Sequence, residues 1–295
     1  MTRRCAEKAT TERHKGDSAV NRHNRIDLSG RRGGNSLPLC LLLALPAAAQ
    51  LYQPGEVLSY RVSYKAKMFP NTEVATVQIS TATEELDGET YYRVEGYGRT
   101  LPTYRWFFPI DDRYIVWADT LTLRTRFFES DVHEGEYTFT SRYRYDWPAM
   151  RVHTRWQKRK NPENRKTMAL TPGSMDPVSL YFNMRTLDPA DFREGESRVL
   201  EMLLQDTVRY LKYRFMGREE KKIRTMGRFR TLKFMCQIGT SDGYSFTDGS
   251  EFTLWISDDQ NKIPLYIESP IRVGSIQAYI TAYKGLKYPL ASKIK

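Results

Sequence analysis

The sequence predicts a mainly β protein, a single curved antiparallel sheet forming an open or closed barrel, with one short helix near 176–187. Three observations carry this. Apolar and polar residues alternate with period two through most of the chain after residue 50. Gly- and Asp-containing turn signals separate the alternating runs. The 19 Tyr, 13 Phe and 5 Trp of the 295 residues suit pleated, half-buried surfaces.

The runs follow in order. In Val57–Tyr64, Leu58, Tyr60, Val62 and Tyr64 share one face, with Ser59, Arg61 and Ser63 on the other. Val74–Thr81 sets Ala75, Val77 and Ile79 against Thr76, Gln78 and Ser80. Leu121–Phe128 sets Leu121, Leu123 and Phe127 against Thr122, Arg124 and Arg126. In Glu136–Trp147, Tyr137, Phe139, Tyr143, Tyr145 and Trp147 alternate with polar residues, and Arg151–Trp156 repeats the pattern. Leu232, Phe234, Cys236 and Ile238 form a later apolar face. Phe252, Leu254 and Ile256 form another, and Ile276, Ala278, Ile280 and Ala282 a third. One apolar and one polar face is the pattern of an antiparallel sheet wetted on one side. Such a sheet must close around its apolar face or cover it. Turns are expected at Asp87-Gly88, Glu134-Gly135, Asp242-Gly243, Asp248-Gly249 and Asp258–Asn261, giving about a dozen strands.

The helix is announced by Asp176-Pro177, an N-cap residue before a proline. Val178, Tyr181, Phe182 and Arg185 follow at helical spacing, and Asp188-Pro189 closes the segment. A short turn is expected at Pro189–Phe192. Arg218–Arg224 is charge-rich, fitting a loop or a strand edge. Lys158–Lys166 (KRKNPENRK) is linker-like in composition and is read as a solvated hairpin loop inside a single β-rich domain, 50–295.

Leu37–Ala49 is a thirteen-residue apolar run, shorter than the roughly 20 residues of a membrane span. Arg31 and Arg32 precede it and Ala47-Ala48-Ala49 ends it, so 36–49 reads as the hydrophobic region of a signal peptide, cleaved near Ala49. Pro38 and Pro46 oppose a buried helix there. The expected destination is the periplasm or outer envelope. Residues 1–35 are polar and mixed in charge, the composition of a disordered leader. A start further in, at Val20 or Leu28, is the expectation. Cys40 follows Leu39 within the apolar run, which is not a lipid-attachment pattern. Cleavage leaves Cys236 as the sole thiol, so no internal disulfide is expected.

The net charge of +11 is uneven: nine basic and four acidic residues lie in the first 49. The remaining surplus is mild. It favours anionic partners, such as an anionic lipid or glycan of the envelope, and is too diffuse for a nucleic-acid groove.

Four segments stand in a fixed order: Gly55–Tyr60 (GEVLSY), Met175–Arg185 (MDPVSLYFNMR), Leu254–Pro264 (LWISDDQNKIP) and the strand Gly274–Tyr279. Together they resemble the exported bacterial family known only as domain of unknown function 3108. The resemblance covers nearly all of 50–295. It implies an envelope location and a β-rich fold, and no activity.

Chemical signatures are sparse. Gly239–Gly243 matches G-x-S-x-G, but a strand-like segment follows and no histidine comes after the serine, which disfavours a nucleophile elbow. His133 and His153 lack metal-ligand spacing, so no metal and no cofactor is expected. Asp111-Asp112 and Asp258-Asp259 are carboxylate pairs whose members point to opposite faces in a strand. Arg124, Arg126, Arg142, Arg144, Arg151 and Arg155 fall on the polar faces of three consecutive predicted strands, so pairing of those strands makes a basic patch for phosphate or carboxylate groups. Trp106, Phe107 and Phe108 form the densest aromatic run, suited to the mouth of an apolar cavity. The expected function is non-enzymatic binding of a lipid, glycan or protein partner. A carboxylate-dependent hydrolase of envelope polymers is the alternative, and a structural or assembly role a third.

Overall fold

A computed structural model describes residues 52–66, 69–239, 251–271 and 274–294. The polar leader, the apolar segment 36–49 with Cys40, Thr240–Gly243 of the G-x-S-x-G match, and the turns at Asp242 and Asp248 lie outside the described residues.

The described chain folds into one sheet of sixteen strands around one α-helix. The N-terminal meander comprises β1 (Val57–Ala66), β2 (Phe69–Leu86), β3 (Glu89–Thr100), β4 (Asp111–Asp119), β5 (Thr125–Glu134), β6 (Tyr137–Asp146), β7 (Arg151–Lys158) and β8 (Asn164–Ala169). Then come β9 (Ser174–Met175) and α1 (Ser179–Thr186). A second meander contains β10 (Ser197–Leu204), β11 (Thr207–Ile223), β12 (Gly227–Ile238), β13 (Glu251–Ser257), β14 (Pro264–Pro270) and β15 (Ser275–Lys284), and β16 (Lys293–Ile294) pairs with β12. Every pairing is antiparallel except β9 with β10. The meanders join where β1 pairs with β15. The expected curved antiparallel sheet is therefore present, in its open form: β8 and β9 end the sheet and are not hydrogen-bonded to each other.

The sheet nonetheless curls until its ends meet through side chains. Leu203 of β10 packs with Phe128, Tyr143, Tyr145 and Val152. The Gln205 N–H donates to the Tyr143 hydroxyl at 2.7 Å, and Lys166 Nζ donates to the Asp206 carbonyl at 2.6 Å. The period-two faces explain the curl. Leu58, Tyr143, Tyr145, Val152, Phe234 and Cys236 are buried, while Arg144, Arg151, His153 and Arg155 are exposed.

The helix lies inside this curve. Met184, Tyr181, Val178 and Phe182, from α1 and its lead-in, reach four separate apolar clusters. The expected cap acts one turn early. Asp176 Oδ1 accepts from the N–H groups of Val178 and Ser179 at 2.9 Å each, and its Oδ2 accepts from Thr125 Oγ1 at 2.7 Å and from the Ser179 hydroxyl. Asp188 accepts from the Ala190 N–H at 2.9 Å and starts a short 3-10 helix, Pro189–Asp191, as the sequence indicated.

One expectation is corrected. Leu121–Arg124 is not strand. Asp119 Oδ1 accepts from the N–H groups of Leu121 and Thr122 and from the Thr122 hydroxyl, and this turn stops β4. A register shift at Trp117/Ala118 then turns Phe128, and not Phe127, toward the core. Phe127 instead joins a cluster with Tyr91, Ile115 and Trp117, roofed by Arg93 over Trp117 and Arg126 over Phe127. Of the two readings of the charge-rich segment, strand edge is the one found: Arg218–Ile223 ends β11 and pairs with β12 alone, since β10 reaches no further than Arg214.

Candidate functional site

The inner face of the N-terminal meander carries a gap in its packing. Tyr92 and Val94 of β3 pack inward, and the next two positions with that orientation are Gly96 and Gly98. Gly96 pairs with Ile79 on β2 and Tyr114 on β4; Gly98 pairs with Val77 and Asp112. Two missing side chains in adjacent rows leave a cavity of about 430 Å³. A Cβ built on Gly96 meets nothing within 4 Å, whereas one on Gly98 meets Val77 at 3.6 Å. Pro177 and Val178, which lead into the helix, and Tyr181 of α1 complete the lining.

The wall is apolar, with a carboxyl at one end. There the Asp112 carboxyl stands near Ile110; the Arg99 side chain lies on the outer face, beside the Tyr97 hydroxyl. Burial raises the Asp112 carboxyl above its usual range, against the His133 N–H that donates to it at 3.0 Å. Volume and lining match small-molecule sites, which run to about 300–1,000 Å³ and are mostly apolar with a few placed polar groups.

The same helix carries one member of a buried ion pair. Arg185 Nη1 and Nη2 donate to the Glu56 carboxylate at 2.6 and 3.0 Å. Its Nε donates to the Asn261 carbonyl at 3.0 Å, and Nη1 also reaches the Tyr181 hydroxyl at 2.7 Å. The guanidinium lies 4.7 Å from the ring centre of Tyr52, whose hydroxyl donates to the Phe182 carbonyl at 3.2 Å. Glu56, Arg185 and Asn261 come from three of the four segments that carry the family resemblance.

The sequence-derived candidates fall in three places. Trp106, Phe107 and Phe108 occupy the β3–β4 loop at 83%, 77% and 51% exposure; they do not line the cavity. Arg142, Arg144, His153, Arg155 and Arg165 do share one outer cleft, of about 580 Å³. Arg142 is already bound to Asp131 at 3.0 and 3.1 Å and to Glu129 at 3.1 Å. Arg144 and Arg155 make no ion pair among the described residues. Arg124 and Arg126 are not part of that face: Arg124 follows the Asp119 turn and covers Trp147 at 4.9 Å, and Arg126 sits in the register shift and donates to the Tyr145 carbonyl at 2.8 Å. Asp111 accepts from the Tyr97 hydroxyl at 2.9 Å; Asp258 pairs with Arg218, and Asp259 accepts from Ser257, Asn261 and Ser292. Among the described residues, no three His, Cys, Asp or Glu side chains assemble as a metal site.

Sequence reasoning missed the cavity. Its one signal is Gly96-x-Gly98 within a strand, where glycine marks a bend or room for a close neighbour.

A barrel-like single sheet holding an internal helix and an apolar cavity is the class of protein these features define. The chain belongs to the family described as protein of unknown function (DUF3108), whose model matches residues 59–281. Among solved structures, it is similar to a beta-barrel-like protein of domain of unknown function DUF1849 from Brucella abortus, with TM-score 0.51 and 8% identity over 78% of this chain and 97% of that one. At that identity the likeness is one of fold. No curated protein matches the sequence. No helix among the described residues is long and apolar enough to cross a membrane.

Proposed function

We propose that the protein is an exported, non-enzymatic binder of an apolar, lipid-like ligand, held in the cavity between β1–β4 and the start of α1. The observation that carries this is the Gly96/Gly98 gap: an inward-facing, mostly apolar space with the Asp112 carboxyl at one end to meet a polar head. Each methylene moved from water into that space contributes about 0.8 kcal/mol. The apolar segment 36–49 supports delivery to the envelope, where such ligands are abundant.

Gly96→Phe tests the proposal. The new ring enters open space, so the fold should persist and the ligand space should vanish. Wild type should bind a fluorescent long-chain fatty acid, and Gly96→Phe should bind it at least about tenfold more weakly, a loss of about 1.4 kcal/mol, with an unchanged circular dichroism melt. Equal affinity in the two proteins, or no binding by wild type, would reject the cavity as the site.

A further inference from the structure

The aromatic run excluded from the cavity is held outward by its own loop. Thr100 Oγ1 donates to the Phe108 carbonyl at 2.9 Å and accepts from the Ile110 N–H at 3.0 Å, closing the loop's base. Turns within it bond Tyr104 N–H to the Leu101 carbonyl and Phe107 N–H to the Tyr104 carbonyl. Trp106 and Phe107 touch each other edge to face at 5.8 Å. Three consecutive large aromatics therefore stand in water on a braced loop. Exposed apolar groups gathered at one place mark an interaction surface.

The neighbouring connections on the same rim identify the partner. In an antiparallel meander the β3–β4, β5–β6 and β7–β8 connections emerge at one end. The rim is continuous: the Gly135 N–H donates to the Pro109 carbonyl at 2.8 Å, linking the aromatic loop to the β5–β6 turn. The Arg159 N–H donates to the Thr138 carbonyl at 2.7 Å, and Lys158 lies over the Tyr137 ring at 5.5 Å, linking that turn to the β7–β8 hairpin. That hairpin, with its flanks, carries Lys158, Arg159, Lys160, Arg165 and Lys166 against the single acid Glu163. All five basic side chains are exposed; among the described residues Arg165 makes their one ion pair, with Glu163 at 2.7 Å, and Lys166 donates to the Asp206 carbonyl. Four interstrand spacings of about 4.8 Å separate the aromatic loop from the hairpin, about 19 Å along the rim.

We propose that this rim docks the protein onto an anionic lipid bilayer, with Trp106, Phe107 and Phe108 inserted among the headgroups and the 158–166 hairpin resting on lipid phosphates. Trp is enriched at the bilayer interface, and Phe supplies the buried apolar area of interfacial anchors. Clustered basic residues are drawn to the surface potential of anionic lipid within a Debye length. The cavity's polar end, at Gly98, Ile110 and Asp112, adjoins the same β3–β4 connection, so docking would bring the ligand site to the membrane. The surface does not depend on the cavity holding a ligand.

Sedimentation of the purified protein with vesicles tests this, using phosphatidylcholine alone and phosphatidylcholine mixed with phosphatidylglycerol. Wild type should partition onto the mixed vesicles and less onto the neutral ones. Replacing Trp106, Phe107 and Phe108 together by Ser should reduce partition by at least about tenfold, since binding scales with inserted apolar area. Lys158→Glu/Arg159→Glu/Lys160→Glu should abolish the preference for anionic vesicles. All six side chains are exposed, so both variants should keep the wild-type melt and fatty-acid affinity, and Gly96→Phe should keep vesicle binding. Failure of wild type to partition would overturn the proposal. So would unaltered partition by the aromatic variant, which would reduce the effect to surface charge, or loop-dependent dimerisation without vesicle binding, which would assign the rim to a second copy of the chain.

Discussion

Glu56→Ala should be among the most damaging single substitutions in this protein. The Glu56 and Arg185 side chains are 1% and 0% exposed, so solvent screening does not weaken the pair. Truncating Glu56 removes two of the four hydrogen bonds made by the guanidinium and leaves its charge with the Asn261 carbonyl, the Tyr181 hydroxyl and the rings of Tyr52 and Tyr181, none of them an anion. Stranding one member of a buried pair costs about 3–5 kcal/mol. At about 2–4 °C per kcal/mol for a chain of this size, the melting temperature should fall by roughly 6–20 °C. Urea and thermal unfolding at pH 7, followed by circular dichroism, measure both quantities. Glu56→Leu with Arg185→Met should recover most of the loss, because an apolar pair of similar volume carries no stranded charge. A cost below about 1 kcal/mol for Glu56→Ala would refute the idea that this pair anchors the helix, since it falls outside the range for a stranded buried charge.

Two further outcomes follow from other buried groups. Burial holds the Asp176 carboxyl above its ordinary value of 3.8, against hydrogen bonds from Ser179, Thr125 and Val178. The folded state therefore binds this proton more tightly than the unfolded chain, and the residue's contribution to stability falls as pH rises from 3.8 through the folded value. Relative to Asp176→Asn, wild type should be less stable at neutral pH than at about pH 4, read from urea midpoints; a difference that stays flat would count against the burial effect. Burial also pushes the Cys236 thiol up to about 12, so Ellman's reagent at pH 8 should leave the folded protein unlabelled for hours and react at once in denaturant. Rapid labelling of Cys236 in the native state would contradict its placement in the core.

The sheet was legible because most strands have one wet face. Glu136–Trp147 alternates almost without interruption, and Tyr143 and Tyr145 are buried where alternation puts them. β4 was not legible, since Ile115 and Trp117 pack on one side and Val116 and Ala118 are buried on the other; a strand covered on both faces loses its period. The false strand at Leu121–Arg124 shows a local side chain overriding a pattern, as the Asp119 carboxylate captures the backbone first. Arg185 belonged to the helical spacing, yet its partner lies 129 residues away, beyond any local rule. The cavity is harder still to foresee: it consists of absent side chains, and it exists only because cross-strand register sets Gly96 and Gly98 between particular neighbours. The basic face shows the same limit. Its arginines can be counted in the sequence, but the neutralisation of Arg142 by Asp131 and Glu129 is a matter of pairing.

The order of the strands bears on how the chain reaches this state. Apart from β1 with β15, and the short β16 with β12, each pairing joins strands that are adjacent in the sequence. Most of the sheet can thus zip up by successive hairpins, each closing a short loop. Joining Tyr60 to Ile280 is different. Before any hairpin forms, it closes a loop of more than two hundred residues, with an entropy penalty of roughly 3 kcal/mol beyond that of a ten-residue hairpin. Two locally assembled halves whose strands join late along this line are the economical route, with the first and last long strands brought side by side at the end.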